Sequence, residues 1–141
     1  MHHPQSKAPI AEMLAACSQQ NRAAFYVPGH KGGRGAPSDL LEAWGLNVFR
    51  ADLPELPELD NLGAPMGAIR EAQDLAAAAF GADRSWFLVN GSTAGIIAAI
   101  LATCGTGDKI ILPRNVHKSA ISGLIFSGAV PIFLNPVYDR T

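Results

Sequence analysis

An excess of charge of one sign is missing from this sequence. Its 141 residues carry 11 Lys and Arg against 12 Asp and Glu, a net charge of −1. That balance gives no electrostatic reason to expect a nucleic acid or an anionic membrane as partner. Cysteine is scarce: Cys17 and Cys104 each sit alone in an apolar helical pattern, which suits buried thiols in a reducing compartment rather than a disulfide or a metal site. Long apolar runs are absent, and the longest, near Gly95–Cys104, falls short of the roughly 20 residues a membrane span needs. The N-terminal residues, Met1 to Lys7, hold no apolar core and no cleavage signal, so they do not read as a signal peptide. His2 and His3 read as an inert pair on a free terminus, not as metal ligands. The expected address is the cytoplasm. Neither repeats nor low-complexity tracts occur, and 48% apolar with 16% charged residues is globular material, enough for one ordinary domain.

What is present begins with Pro9 at a first helical position, followed by Ile10, Met13, Leu14 and Cys17 at helical spacing. Phe25–Val27 is a short extended run. It leads into Pro28-Gly29-His30-Lys31-Gly32-Gly33-Arg34-Gly35, a loop with four glycines in eight residues. Ser38 is placed to cap a helix carrying Leu40, Leu41 and Trp44. Residues 48–65 are rich in proline and acid and read as an ordered loop or linker. Pro65 opens a helix with Ile69, Ala72, Ala76 and Phe80 on one face, Arg70, Glu71 and Asp74 on the other, and Gly81 at its end. Expected helices lie near 10–18, 66–80, 94–104 and 117–127, with strands at 86–89, 109–113 and 130–134. This alternation implies βαβ units and a parallel sheet, whose ligands gather at the carboxyl ends of strands. The chain divides into an N-terminal helical and loop arm, 1–64, and the start of an α/β domain, 65–141.

Four segments carry candidate chemistry. Asn90-Gly91-Ser92-Thr93 reads as a tight turn opening a helix. Gly-Ser-Thr offers free backbone N–H groups, two hydroxyls and a positive dipole end, which suit a phosphate; the plain alternative is an N-cap. It is neither a Walker loop nor a Rossmann fingerprint. His117 at a helix start is a capping residue or a flat ring able to stack on an aromatic cofactor. Lys118 beside it reads as a solvated or phosphate-side charge, since the apolar surroundings of a Schiff-base lysine are missing. The loop at 28–35 is either a surface loop with a basic cluster (His30, Lys31, Arg34) or an anion-binding nest. The acids of 52–60 read as loop-structuring charges or as an acid/base pair, with Arg50 and Lys31 the nearest bases in sequence.

Taken in order, Pro28-Gly29-His30-Lys31-Gly32-Gly33, Asp52-Leu53-Pro54-Glu55-Leu56 with Leu59-Asp60-Asn61-Leu62, Asn90-Gly91-Ser92-Thr93-Ala94-Gly95 and Arg114-Asn115-Val116-His117-Lys118-Ser119 resemble the bacterial ornithine/lysine/arginine decarboxylases over about residues 8–137. The resemblance implies an incomplete fold-type-I, aspartate-aminotransferase-like α/β domain with a partial parallel sheet. It also implies pyridoxal 5'-phosphate as cofactor, a basic amino acid as substrate, polyamine metabolism and sites built at a dimer interface. It places Gly91, Ser92 and Thr93 at the cofactor phosphate and His117 against the pyridine ring.

The departures are equally specific. The family's aspartate at the pyridinium nitrogen and its later Ser-x-His-Lys lysine, which holds the cofactor as a Schiff base, have no counterpart in this sequence. The expectation is therefore an N-terminal portion of a decarboxylase that is inactive as this isolated chain. The alternatives are a non-catalytic remnant, a subunit of a split enzyme completed by a companion chain, and a fragment of another fold-type-I enzyme such as a transaminase or lyase; a homo-oligomer or a companion chain is the expected partner. The Pro-Gly-His-Lys and Arg-Asn-x-His-Lys-Ser segments favour the decarboxylases over the last of these.

Overall fold

A computed structural model describes residues 5–138. His2 and His3 lie outside the described residues, and no group of His, Cys, Asp and Glu suited to a metal occurs within them. The chain condenses into two compact units, Met1–Phe87 and Leu88–Thr141.

In the first unit, α1 (Pro9–Ser18) begins with Pro9 in the first turn, where its missing N–H costs nothing. A short 3-10 turn, Lys31–Gly33, follows. Then come α2 (Ser38–Trp44), α3 (Leu46–Ala51) and α4 (Ala68–Phe80). α1 packs on α3 and α4, and the 3-10 turn packs on α3. The buried residues include Cys17, Phe49, Ala68, Leu75 and Ala77. Gly33 is required where it stands. Its φ is +93°, and a Cβ there would meet Leu46 Cδ1 at 2.6 Å.

Several expectations for this unit are corrected. Pro37, not Ser38, occupies the N-cap of α2; Ser38 is its first helical residue and makes no cap bond. The 48–65 loop starts later than expected, because the apolar Leu46, Val48 and Phe49 continue as α3 to Ala51; the proline-rich part begins only at Pro54. α4 starts at Ala68, not at Pro65, because its first turn is capped from a distance by Asp60. Phe80 does not share the buried face. It ends the helix against left-handed Gly81 and is 87% exposed. The opposite face is as expected: Arg70 Nε bonds Asp74 Oδ1 at 2.9 Å, and Lys7 pairs with Glu71 at 2.8 Å.

The segment 86–89 is not a strand. It pairs with no backbone among the described residues, and Trp86 and Val89 are exposed. The apolar run reports a segment suited to burial; a strand also needs a neighbour for its N–H and C=O groups.

The second unit contains α5 (Gly91–Thr103), β1 (Lys109–Pro113), α6 (Lys118–Ser127) and β2 (Val130–Leu134). β1 and β2 are parallel, with Lys109 opposite Val130 and Pro113 opposite Leu134. The expected turn at 90–93 is instead the first turn of α5 from Gly91 onward. α6 packs on α5 through Gly123, where a Cβ would lie 2.7 Å from Ile100 Cδ1. The Val130 N–H donates to the Asp108 carbonyl at 2.7 Å and the Arg114 N–H to that of Leu134 at 2.8 Å. Residues 130, 132 and 134 therefore face β1, and Pro131 and Phe133 turn their backbone outward. Both cysteines are free; Cys17 is buried and Cys104 half-buried. No described helix is long and apolar enough to cross a membrane.

Candidate functional site

α6 leads from the end of β1 back to the start of β2, so it runs against both strands. The connection after α5 ends beside the end of α6: the Gly107 N–H donates to the Gly128 carbonyl at 3.0 Å, and the Thr106 hydroxyl to that of Ser127 at 3.4 Å. The two helices thus finish at one end of the unit. Their N-termini, carrying Ser92 and His117, share the other end with the carboxyl terminus of β1. The sequence-derived candidates Ser92 and His117 stand at the N-termini of two helices that run the same way, each a positive helix end.

The two N-termini differ in how their donors are used. At α6, His117 is the N-cap. Its Nδ1 accepts from the Ser119 N–H at 3.2 Å and lies 2.9 Å from Ser119 Oγ. The capping reading of His117 therefore holds, and it leaves Nε2 and the ring faces uncommitted. With its lone pair at Nδ1 accepting, the neutral ring carries its proton at Nε2. Ser119, 1% exposed, anchors the arrangement.

At α5, Asn90 holds the N-cap position but its side chain bonds no backbone N–H. The first-turn N–H groups have no partner within the helix. The hydroxyls of Ser92 and Thr93 make no hydrogen bond among the described residues, and both residues are exposed. Gly91, at φ +65°, has open space where a Cβ would stand. This end of the unit is a set of unengaged donors with room in front of it, which suits an anionic group. Lys118 is exposed, in keeping with a solvated charge.

In the first unit, the 28–35 loop is not a nest. The N–H groups of Lys31, Gly33, Arg34 and Gly35 donate to carbonyls of the loop itself. The Lys31 ammonium donates to the Tyr26 carbonyl, and Arg34 Nη2 to Asn21 Oδ1 at 3.2 Å. His30 Nε2 lies 3.0 Å from Asp52 Oδ2, with its ring edge-on to Phe49 at 5.2 Å. The structure thus brings the Pro-Gly-His-Lys motif and the acidic motif together.

The acids structure their loops, but not through Arg50 or Lys31. Glu58 pairs with Arg22 at 2.6 Å, and Glu55 accepts from Asn61 Nδ2 at 2.7 Å and the Leu62 N–H at 3.0 Å. Asp60 accepts from the backbone N–H groups of Asn61, Met66, Gly67, Ile69 and Arg70. Partial desolvation pushes its carboxyl upward, but the N–H donors of Met66, Asn61, Gly67 and Arg70 outweigh it and bring it from 3.8 to about 2. Two features went unread in the sequence, the His30–Asp52 pair and the long-range cap by Asp60. The second had a signal: in Asp60-Asn61-Leu62-Gly63 the adjacent Asp and Asn are turn-formers whose side chains seek backbone N–H groups.

The model of the Orn/Lys/Arg decarboxylase major domain matches residues 8–141. The chain belongs to that family. It is 47% identical over 135 residues to an arginine decarboxylase of Bacillus anthracis, covering 96% of this chain and 27% of that protein. It superposes on lysine decarboxylase A from Pseudomonas aeruginosa with a TM-score of 0.78 at 34% identity, covering 91% of this chain and 18% of the other. On the constitutive lysine decarboxylase of E. coli the TM-score is 0.80 at 27% identity, covering 93% and 19%. The chain thus spans 18–27% of the length of these family members. Its α/β fold, with a partial parallel sheet, matches part of these decarboxylases.

Proposed function

We propose that the chain is the N-terminal portion of a pyridoxal-phosphate-dependent decarboxylase of a basic amino acid, arginine, lysine or ornithine, working in the cytoplasm. The arm over 1–64 precedes the start of the cofactor-binding domain, 65–141. The observation that carries the reading is the unengaged donor set at α5. Gly91, Ser92 and Thr93 would hold the cofactor phosphate through backbone N–H groups and hydroxyls at a positive helix end. His117, its ring fixed by the Ser119 bond, would lie against the cofactor ring. When bound, the cofactor supplies the electron sink that loss of a carboxylate requires. This chain's own part is to bind and orient: the α5 turn neutralises the phosphate, and Ser119 keeps the His117 proton on Nε2.

Covalent capture of the cofactor needs a lysine that none of the quoted motifs supplies, so the 141-residue chain alone should not decarboxylate any of the three amino acids. Carbon dioxide release with added pyridoxal phosphate is the assay, and turnover above that of the free cofactor would refute inactivity. The binding half is tested separately by equilibrium dialysis. Ser92→Ala with Thr93→Ala should weaken pyridoxal phosphate retention by about 1–3 kcal/mol for each charge-assisted bond lost. Retention unchanged in that variant would sink the assignment.

A second reading, that the chain acts with a companion chain or as a homo-oligomer, is supported by apolar strand surface left open in the second unit. Ile111 of β1 is 64% exposed and Leu134 of β2 57%.

A further inference from the structure

We propose that the first unit carries a binding site for a small polyanion, a phosphorylated or polycarboxylate metabolite. A cleft of about 350 Å³ opens between the end of α1, the 28–34 loop and α3. That volume is on the scale of small-ligand sites. Four cationic side chains line it, Arg22, Lys31, Arg34 and Arg50, against one acid, Asp52. One of the cations is already balanced, Arg22 by Glu58, and the one acid, Asp52, is bonded to the His30 ring.

The other three cations, Lys31, Arg34 and Arg50, outnumber that acid. Lys31 and Arg34 are held by neutral acceptors, the Tyr26 carbonyl and Asn21 Oδ1, which orient a cation without cancelling its charge. Arg50 makes no hydrogen bond or ion pair among the described residues. Oriented, uncompensated positive charge around a concave surface focuses its field on the cleft and favours a multiply charged anion over a single halide. It disfavours the cationic side chain of a basic amino acid. The backbone N–H groups of Lys31, Gly33, Arg34 and Gly35 are engaged within the loop, so recognition rests on the side chains, with guanidinium forks matched to phosphate or carboxylate oxygens. Every residue invoked precedes Leu88, so the site stands whether or not the cofactor assignment does.

The test titrates the 141-residue chain with pyrophosphate in one arm and citrate in the other, at constant ionic strength, following backbone amide shifts by NMR. Saturable shifts clustered on residues 17–34 and 46–53 are expected, and the tighter arm names the phosphoryl or the carboxylate class. Arg34→Gln with Arg50→Gln should weaken that binding at least tenfold, while Arg34→Lys with Arg50→Lys keeps most of it. Non-saturable shifts, shifts located elsewhere, or affinity unchanged in the glutamine variant would overturn the proposal. Should the glutamine variant lose the parent's far-ultraviolet circular dichroism, the location of the parent's own shifts decides.

Discussion

In the first unit, Asp60, Glu55, Asn61, His30 and Lys31 all bond the chain around them. In the second, Ser92 and Thr93 bond nothing described, and the strands show apolar side chains to the surface. The first unit is short of regular structure over residues 19–30 and 52–67, yet those segments are tied by side-chain bonds. The second is the more regular of the two, yet it leaves the Ser92 and Thr93 hydroxyls without a bond among the described residues. Regular backbone is thus a poor guide to completeness. A loop region can be finished by carboxylates, and a βαβ unit can remain dependent on what is placed against it.

Substitutions can break this contrast. The largest stability loss should come from Gly33→Val, which places a branched side chain at φ +93° and into Leu46. A loss of about 1–3 kcal/mol is expected, measured by urea unfolding. Next is Asp60→Ala, which leaves five backbone N–H groups without their acceptor. About 2 kcal/mol, the upper part of the range for a lost helix cap, should disappear. The same carboxylate has a pH signature. Its folded value is depressed, so its stabilisation is complete above the ordinary value of 3.8 and lost as the pH falls through about 2. Asp60→Ala should abolish that acid-limb slope, and an unchanged slope would show that other carboxylates carry it.

In the second unit, His117→Ala removes a cap and should cost about 1 kcal/mol. His117→Asn, which restores a cap but not a ring, should recover most of that stability in thermal melts. Smallest is Ser92→Ala with Thr93→Ala, expected to shift stability by no more than about 0.5 kcal/mol, because these hydroxyls support nothing in the chain. A large loss there would erase the contrast between the units.

The α/β alternation was legible because helical and strand periods alternate cleanly from residue 94 onward, and β1 and β2 fall on their expected residues. The family was legible because four motifs occur in order. What could not be read was pairing. Trp86–Val89 has the composition of a buried strand, but composition does not supply a neighbouring backbone. Asp60 lies eight residues before the helix it caps, beyond the reach of local capping rules. His30 and Asp52, 22 residues apart, meet only because Gly33 lets the loop close on α3. At the candidate site, His117 could be read as cap or ring, and the structure gives it the first role without removing the second.

Pro131 gives the small sheet a direction of growth. Its backbone lies on the outer side of β2, where a further strand would need an N–H that proline lacks. On the free side of β1, Lys109 and Ile111 keep theirs, and Pro113 at the end of the strand does not. Strand addition is therefore biased: β2 is blunted at the second of its five residues, β1 only at its last. Whatever joins this sheet, whether correct partner or misassembled copy, should enter beside β1, and a charge at Ile111 would obstruct both.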